Sequence, residues 1–151
     1  VSALAAQNIG AGKYDRAKQT LRYAMMIAIG FGLVVSILIQ FIAAPVVGLF
    51  TADAAVILLG AQYIRGYIWD CIFAGVHFSF SGYFCACGKS GISFLHNLIA
   101  ILCVRIPGVY LTSKIFPHTL FPMGLATATG SLLSVIICII AYRWLCEKSG
   151  K

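Results

Sequence analysis

Two ionisable residues, Asp70 and His77, lie in a hydrophobic stretch, residues 66–88, that is long enough to cross a membrane. A charged side chain inside a bilayer costs roughly 2.5–3.5 kcal/mol on insertion scales, so such residues are usually kept for function or paired. On a helix, Asp70, His77 and Ser81 share one face because they are seven and four positions apart. This polar face indicates that the helix lines a cavity that binds ions or substrate. The alternative is that it only holds neighbouring helices together.

Asp70 has no basic residue three or four positions away on its own helix. We therefore expect an unpaired carboxylate that desolvation drives towards the protonated form, and that takes up a proton or binds sodium. Arg105, the second charge inside a predicted span, supplies the alternative. If Arg105 lies within about 4–6 Å of Asp70, the two form a structural ion pair. Otherwise Arg105 is a cavity or gate residue, or extends its side chain to the membrane interface.

Enzymatic chemistry is not indicated. Asp70, His77 and Ser81 are the residue types of a hydrolytic triad, but they spread over eleven positions of one helix and no nucleophile turn is present. Two Gly-Lys dipeptides suggest phosphate loops. One is followed by tyrosine instead of Ser or Thr, and the other has tyrosine in place of the first glycine. The six cysteines show no C-x-x-C spacing, so we expect no metal site, no disulfide framework and no cofactor.

The composition is that of a membrane protein. The chain has 151 residues, of which 61% are hydrophobic and 10% charged, and its mean hydropathy is +0.96. A soluble domain has about 45–50% apolar and about 25% charged residues. The net charge of +7 comes from short basic patches between apolar runs, so the sequence predicts no nucleic-acid partner and a membrane-lipid environment instead.

Four membrane spans are predicted in an all-α fold, at approximately residues 23–50, 66–87, 92–111 and 120–142. Ala126, Gly130 and Ser134 repeat every four positions in the last span and predict close helix packing. Pro107, two residues after Arg105, predicts a kink in the third span. The short apolar stretch 54–64 is expected to lie at the interface or to extend the next helix.

The basic residues predict the orientation. With four spans, eight of the eleven Lys and Arg residues fall on one side and two on the other. By the positive-inside rule, the connection at residues 10–22, the loop at Lys89 and the C-terminus are cytoplasmic. The first residue is Val1, not methionine. We therefore expect a multi-pass protein of the cell membrane, of which this chain is a piece.

Four stretches resemble, in the same order, sequences of the multidrug and toxic-compound extrusion (MATE) family. They are residues 6–17 (AQNIGAGKYDRA), 81–90 (SGYFCACGKS), 105–107 (RIP) and 124–127 (GLAT). The first is similar to the cytoplasmic connection in each half of family members. One departure is Cys85-Ala86, where the family often has Arg-Gly.

The resemblance implies twelve helices in two bundles, with this chain, residues 1–151, supplying part of the C-terminal bundle: the end of the eighth helix and the ninth to twelfth. The N-terminal half would be its partner. It also implies an antiporter, coupled to protons or sodium, that exports organic cations and drug-like compounds. Asp70 would lie on the tenth helix, where some members carry a coupling carboxylate. The expected ion-coupling and cavity residues are Asp70, His77, Ser81 and Arg105.

Two other functions stay open. A flippase for lipid-linked sugars, from the same superfamily, would need several cationic residues in its cavity, for which Arg105 is the one candidate inside a predicted span. A membrane scaffold or inactive fragment that transports nothing is the third possibility.

Overall fold

The computed structural model describes residues 1–148 and their side chains as far as Cys146, and helices with no strand make up this part of the chain. The helices are α1 (Ser2–Gly10), α2 (Tyr14–Gly48), α3 (Ala54–Tyr67), α4 (Asp70–Ala86), α5 (Ser90–Ala100), a π-helical turn (Ile101–Arg105), α6 (Ile106–Ile115) and α7 (Phe121–Lys148). The predicted all-α membrane fold is confirmed.

Three helical segments of the described chain are long and apolar enough to cross a membrane: Tyr14–Gly48, Ser90–Ile115 and Phe121–Cys146. Many large apolar side chains on them are exposed; Phe31 and Phe41, for example, are 71% and 78% accessible. Lipid would cover these side chains in a bilayer.

The stretch predicted as the second span is divided between α3 and α4 by a tight turn at Ile68 and Trp69. Both turn residues keep right-handed helical backbone angles. The Cys71 N–H donates to the Ile68 carbonyl (3.0 Å) and the Ile72 N–H to the Trp69 carbonyl (3.3 Å), in each case three residues back. Residues 54–86 therefore form one interrupted helix.

Side chains of α2 donate hydrogen bonds to backbone carbonyl groups at this interruption. Gln40 Nε2 donates to the Arg65 carbonyl at 3.1 Å, and Ser36 Oγ donates to the Ile68 carbonyl at 3.2 Å. Arg65 Nε returns a hydrogen bond to the Gln40 carbonyl at 3.1 Å. A broken helix is tolerated at membrane depth when neighbouring helices bond its free backbone groups in this way.

Helix α7 packs against α3, α4, α5, the π turn and α6. Its closest approach is to α3, because a Cβ atom on Gly124 would lie 2.5 Å from the Tyr63 carbonyl oxygen and 2.6 Å from the Tyr67 nitrogen. The predicted stripe of Ala126, Gly130 and Ser134 is confirmed as a packing surface, since all three residues are buried. The small residues let other backbones approach α7 closely.

A cluster of buried side chains fills the end of the bundle where α1, α2, α4 and α7 meet. Its members are Ala5, Ala17, Leu21, Val76, Phe80, Tyr83, Phe84 and Cys138. Four of these residues belong to α4, three of them in its C-terminal half, so the cluster holds that half in place. It thereby sets the direction in which the polar face near the N-terminus of α4 points.

Candidate functional site

Asp70 and Arg105 form an ion pair between α4 and the π turn. Arg105 Nη2 lies 3.3 Å from both carboxylate oxygens of Asp70, and it also donates to Ser131 Oγ of α7 at 2.5 Å. The Asp70 side chain is 6% accessible and that of Arg105 is 30% accessible. The expectation of an unpaired carboxylate is therefore wrong, because Arg105 reaches Asp70 from another helix.

The broken helix positions the carboxylate. Asp70 is the first residue of α4 and directly follows the turn at Ile68 and Trp69. The N-terminus of a helix carries a partial positive charge that favours an anionic side chain there. The interruption thus places Asp70 in favourable local electrostatics inside the bundle.

A π turn positions the guanidinium. The Ile106 N–H donates to the Ile101 carbonyl, five residues back, and Arg105 ends the turn. Pro107 has no N–H and cannot continue an ordinary α-helical ladder, so the predicted disturbance of this helix takes the form of a π turn. Gly130 of α7 makes room for the arginine, because a Cβ atom there would lie 2.5 Å from Arg105 Cγ.

His77 belongs to a second polar group, two turns along α4 from the ion pair. His77 and His96 are 2% and 1% accessible, and their rings meet edge to face with centroids 5.6 Å apart. His96 Nδ1 is 3.3 Å from Ser134 Oγ, which donates in turn to the His96 carbonyl at 3.3 Å. Nδ1 of His77 and Nε2 of His96 are buried and have no hydrogen-bond partner among the described residues.

Ser81 lies at a third level of the same helix. It is half-buried, and its backbone carbonyl accepts a hydrogen bond from Ser93 Oγ at 3.0 Å. Eleven residues of helix correspond to about 16 Å, so Ser81 is not part of the ion pair. The polar face thus carries Asp70 with Arg105 and Ser131, then His77 with His96 and Ser134, and then Ser81.

Sequence reasoning missed three members of these groups: His96, Ser131 and Ser134. The sequence pattern included Ser134 only as a small packing residue of the last span. The spacing of Ser131 and Ser134, close to one turn apart on the face of α7 that carries Gly130, was the available signal.

An aromatic hollow lies between the start of α4 and α7. Its volume is about 310 Å³, and Trp69, Phe73, Leu125, Ala128, Thr129 and Leu132 line it. Trp69 directly precedes Asp70 in the chain, at the turn that separates α3 from α4. Aromatic faces attract organic cations through their quadrupole. No group of three or more His, Cys, Asp or Glu side chains suited to a metal ion occurs among the described residues.

Comparison with known proteins identifies the family. The family model MatE matches residues 1–111, which is more than half of the chain and covers α1 to most of α6. No curated protein and no solved structure shows significant similarity to the chain. The matched region contains both partners of the ion pair and both histidines of the second polar group. The chain therefore belongs to the MatE family and is a multi-pass membrane protein of the transporter class.

Proposed function

We propose that the protein is an antiporter of the cell membrane that couples the entry of a proton or sodium ion to the export of organic cations and drug-like compounds. The observation that carries this proposal is the Asp70–Arg105 pair of a MatE chain, whose carboxylate is buried and whose guanidinium is partly exposed. The pair forms where two helices are both irregular. Intramembrane ionisable groups of this kind mark ion pathways in transporters.

The coupling ion would compete with Arg105 for Asp70. A proton or sodium ion on the carboxylate removes its net attraction for the guanidinium, while Ser131 still accepts a hydrogen bond from Arg105. The turn before α4 and the π turn already lack regular helical hydrogen bonds. Irregular segments of this kind bend more readily than a regular helix, so ion binding would change access to the space between them.

The substrate would occupy the aromatic hollow. Trp69 and Phe73, which line the hollow, offer faces for a planar organic cation. Asp70, the residue after Trp69, would supply a negative charge once Arg105 moved away. An organic cation and the coupling ion would then use the same carboxylate in alternation. Such competition for one group is the simplest basis for antiport.

A flippase for lipid-linked sugars receives less support. It would need several cationic side chains free to bind phosphate, whereas Arg105 is paired with Asp70 and Ser131. A scaffold without transport would gain little from a pair whose buried carboxylate is costly to desolvate, since apolar residues of similar volume often stabilise a fold as well or better.

Transport of ethidium by everted membrane vesicles that contain the protein tests the proposal. Imposing a proton gradient or a sodium gradient should each be tried, and one of them should drive ethidium accumulation that vesicles without the protein do not show. Collapsing that gradient should stop the accumulation. Ethidium accumulation that neither gradient changes would contradict coupled antiport.

A further inference from the structure

The two Gly-Lys dipeptides form the same turn at the same end of the bundle. Gly12-Lys13 joins α1 to α2, and Gly88-Lys89 joins α4 to α5. In both, the glycine adopts a positive φ, 72° and 70°. In both turns, the residue before the glycine, the glycine and the lysine each donate a backbone N–H to a carbonyl group of the preceding helix. The acceptors lie four, three and five residues back, at 3.0, 3.0 and 2.8 Å respectively. This is the Schellman pattern, which ends one helix and lets the next begin at once.

Both turns leave a helix N-terminus uncapped. Lys13 and Lys89 occupy the N-cap positions of α2 and α5, and neither helix has a side-chain cap hydrogen bond. Lysine has no acceptor with which to cap an N–H group. Two helix ends with partial positive charge, each next to an ammonium group, therefore lie on this side of the protein.

A cavity of about 420 Å³ lies between these helix ends and the end of α7. Lys18 and Lys89 provide two ammonium groups on its wall, and Tyr83 and Tyr142 provide two phenol groups. Tyr83 is only 7% accessible, and its ring meets that of Tyr142 edge to face at 5.6 Å. Ile9 and Leu145 make the wall partly aliphatic.

The lysines of the cavity are not neutralised within the described chain. Among the described residues, the ion pair that forms joins Arg105 to Asp70, which lie outside this cavity. Neither Lys18 nor Lys89 takes part in an ion pair. Asp15, the nearest acid in sequence, lies three residues before Lys18 but not within ion-pair distance of it. The described residues that line the cavity therefore give it a net positive charge.

We propose that this cavity binds the phosphate headgroup of an anionic phospholipid. Lys18 and Lys89 would contact the phosphate oxygens, a tyrosine hydroxyl would donate a hydrogen bond, and the glycerol and acyl chains would follow Ile9 and Leu145. The cavity lies at the ends of the spans formed by α2 and α7, which is the depth of lipid headgroups. Basic pockets between spanning helices bind such headgroups in general, and the aliphatic wall favours a lipid over free phosphate.

Lipid retention measured by native mass spectrometry tests the site. The full chain is released from membranes of equal parts phosphatidylcholine and phosphatidylglycerol. The wild type should retain phosphatidylglycerol preferentially, and Lys18→Gln with Lys89→Gln should lower that preference about thirtyfold. The charge-preserving pair Lys18→Arg with Lys89→Arg should keep it, as should Lys114→Gln, which removes an exposed lysine at another helix end. Circular dichroism and thermal melting check that every variant is folded.

Inorganic phosphate, added in excess to the wild type, separates the two sources of the ligand. Unchanged lipid retention supports the headgroup site. Displacement of the lipid by phosphate would overturn the lipid assignment. Equal retention of neutral and anionic lipid by the wild type would overturn the site itself, as would an equal loss in the Lys114→Gln control.

Discussion

Arg105 Nη2 lies 3.3 Å from each carboxylate oxygen of Asp70, although the two residues are 35 positions apart in the sequence. The contact joins the start of α4 to the end of the π turn, and Ser131 ties the same nitrogen to α7. Three segments of the bundle therefore meet at one guanidinium. A change in the charge of Asp70 would therefore alter the contacts that Arg105 makes with α4 and α7.

Gly124→Ala should be among the most destabilising single changes in the bundle. The new Cβ would lie 2.5 Å from the Tyr63 carbonyl oxygen, and backbone cannot move aside as a flexible side chain can. We expect a loss of about 1–3 kcal/mol in the free energy of unfolding, measured by thermal or denaturant melting in detergent.

The control for this experiment is Gly30→Ala in α2, where a Cβ meets no atom within 4 Å. It should be neutral, or slightly stabilising because alanine favours helix. Equal melting temperatures for Gly124→Ala and Gly30→Ala would contradict the close crossing of α3 and α7.

Gly88→Ala should strain the second Gly-Lys turn. The φ of Gly88 is 70°, a left-handed conformation that costs an L-residue about 1–2 kcal/mol. Gly91→Ala, three residues later inside α5, has no positive φ and open space around its Cβ, so it should not destabilise. In thermal melting, Gly88→Ala should therefore have a lower melting temperature than Gly91→Ala. The reverse order would contradict the positive φ assigned to the turn.

Cysteine labelling tests the orientation that the basic residues predict. The six native cysteines are replaced first, since all of those described are free. A membrane-impermeant maleimide should label His118→Cys in intact cells and Ser90→Cys only after permeabilisation. Both positions are exposed, so access should depend on sidedness alone. Labelling of Ser90→Cys but not His118→Cys from outside would place the Gly-Lys turns outside the cell.

The sequence was sufficient to predict long apolar helices and the small-residue stripe because both are local patterns. Apolar runs set the spans, and a repeat of four positions set the packing face of α7. The distortion beside Pro107 was likewise predictable, since proline cannot donate the hydrogen bond that a regular helix needs.

The site itself depended on contacts between helices, which are not visible in a local pattern. The turn at Ile68 and Trp69 contains neither proline nor glycine, and Ser36 and Gln40 of α2 support it from far away in the sequence. Arg105 was recognised as a possible partner of Asp70, but its distance depended on how α4 and the π turn pack on α7. The two Gly-Lys dipeptides were predicted to lie in connections between helices, but their common hydrogen-bond pattern depends on backbone conformation, which the sequence does not show.

Asp70→Asn alone should lower the abundance of the protein in the membrane, because Arg105 is left without its counter-charge. Loss of one partner of a fully buried pair costs about 3–5 kcal/mol, and the partial exposure of Arg105 makes the loss here smaller. Adding Arg105→Gln should restore the abundance, since the two amides can bond to each other. Asp53→Asn is the matched control, because asparagine also caps a helix, as Asp53 does for α3. It should behave as wild type.

The most direct test of cation coupling is gradient-driven ethidium transport in vesicles that contain the Asp70→Asn and Arg105→Gln double variant, compared at equal abundance with wild type and with Asp53→Asn. The proposed competition between the coupling ion and Arg105 for Asp70 predicts that the double variant is abundant but no longer responds to the ion gradient. Gradient-driven transport at the wild-type rate in the double variant would contradict it and leave the ion pair with a structural role only.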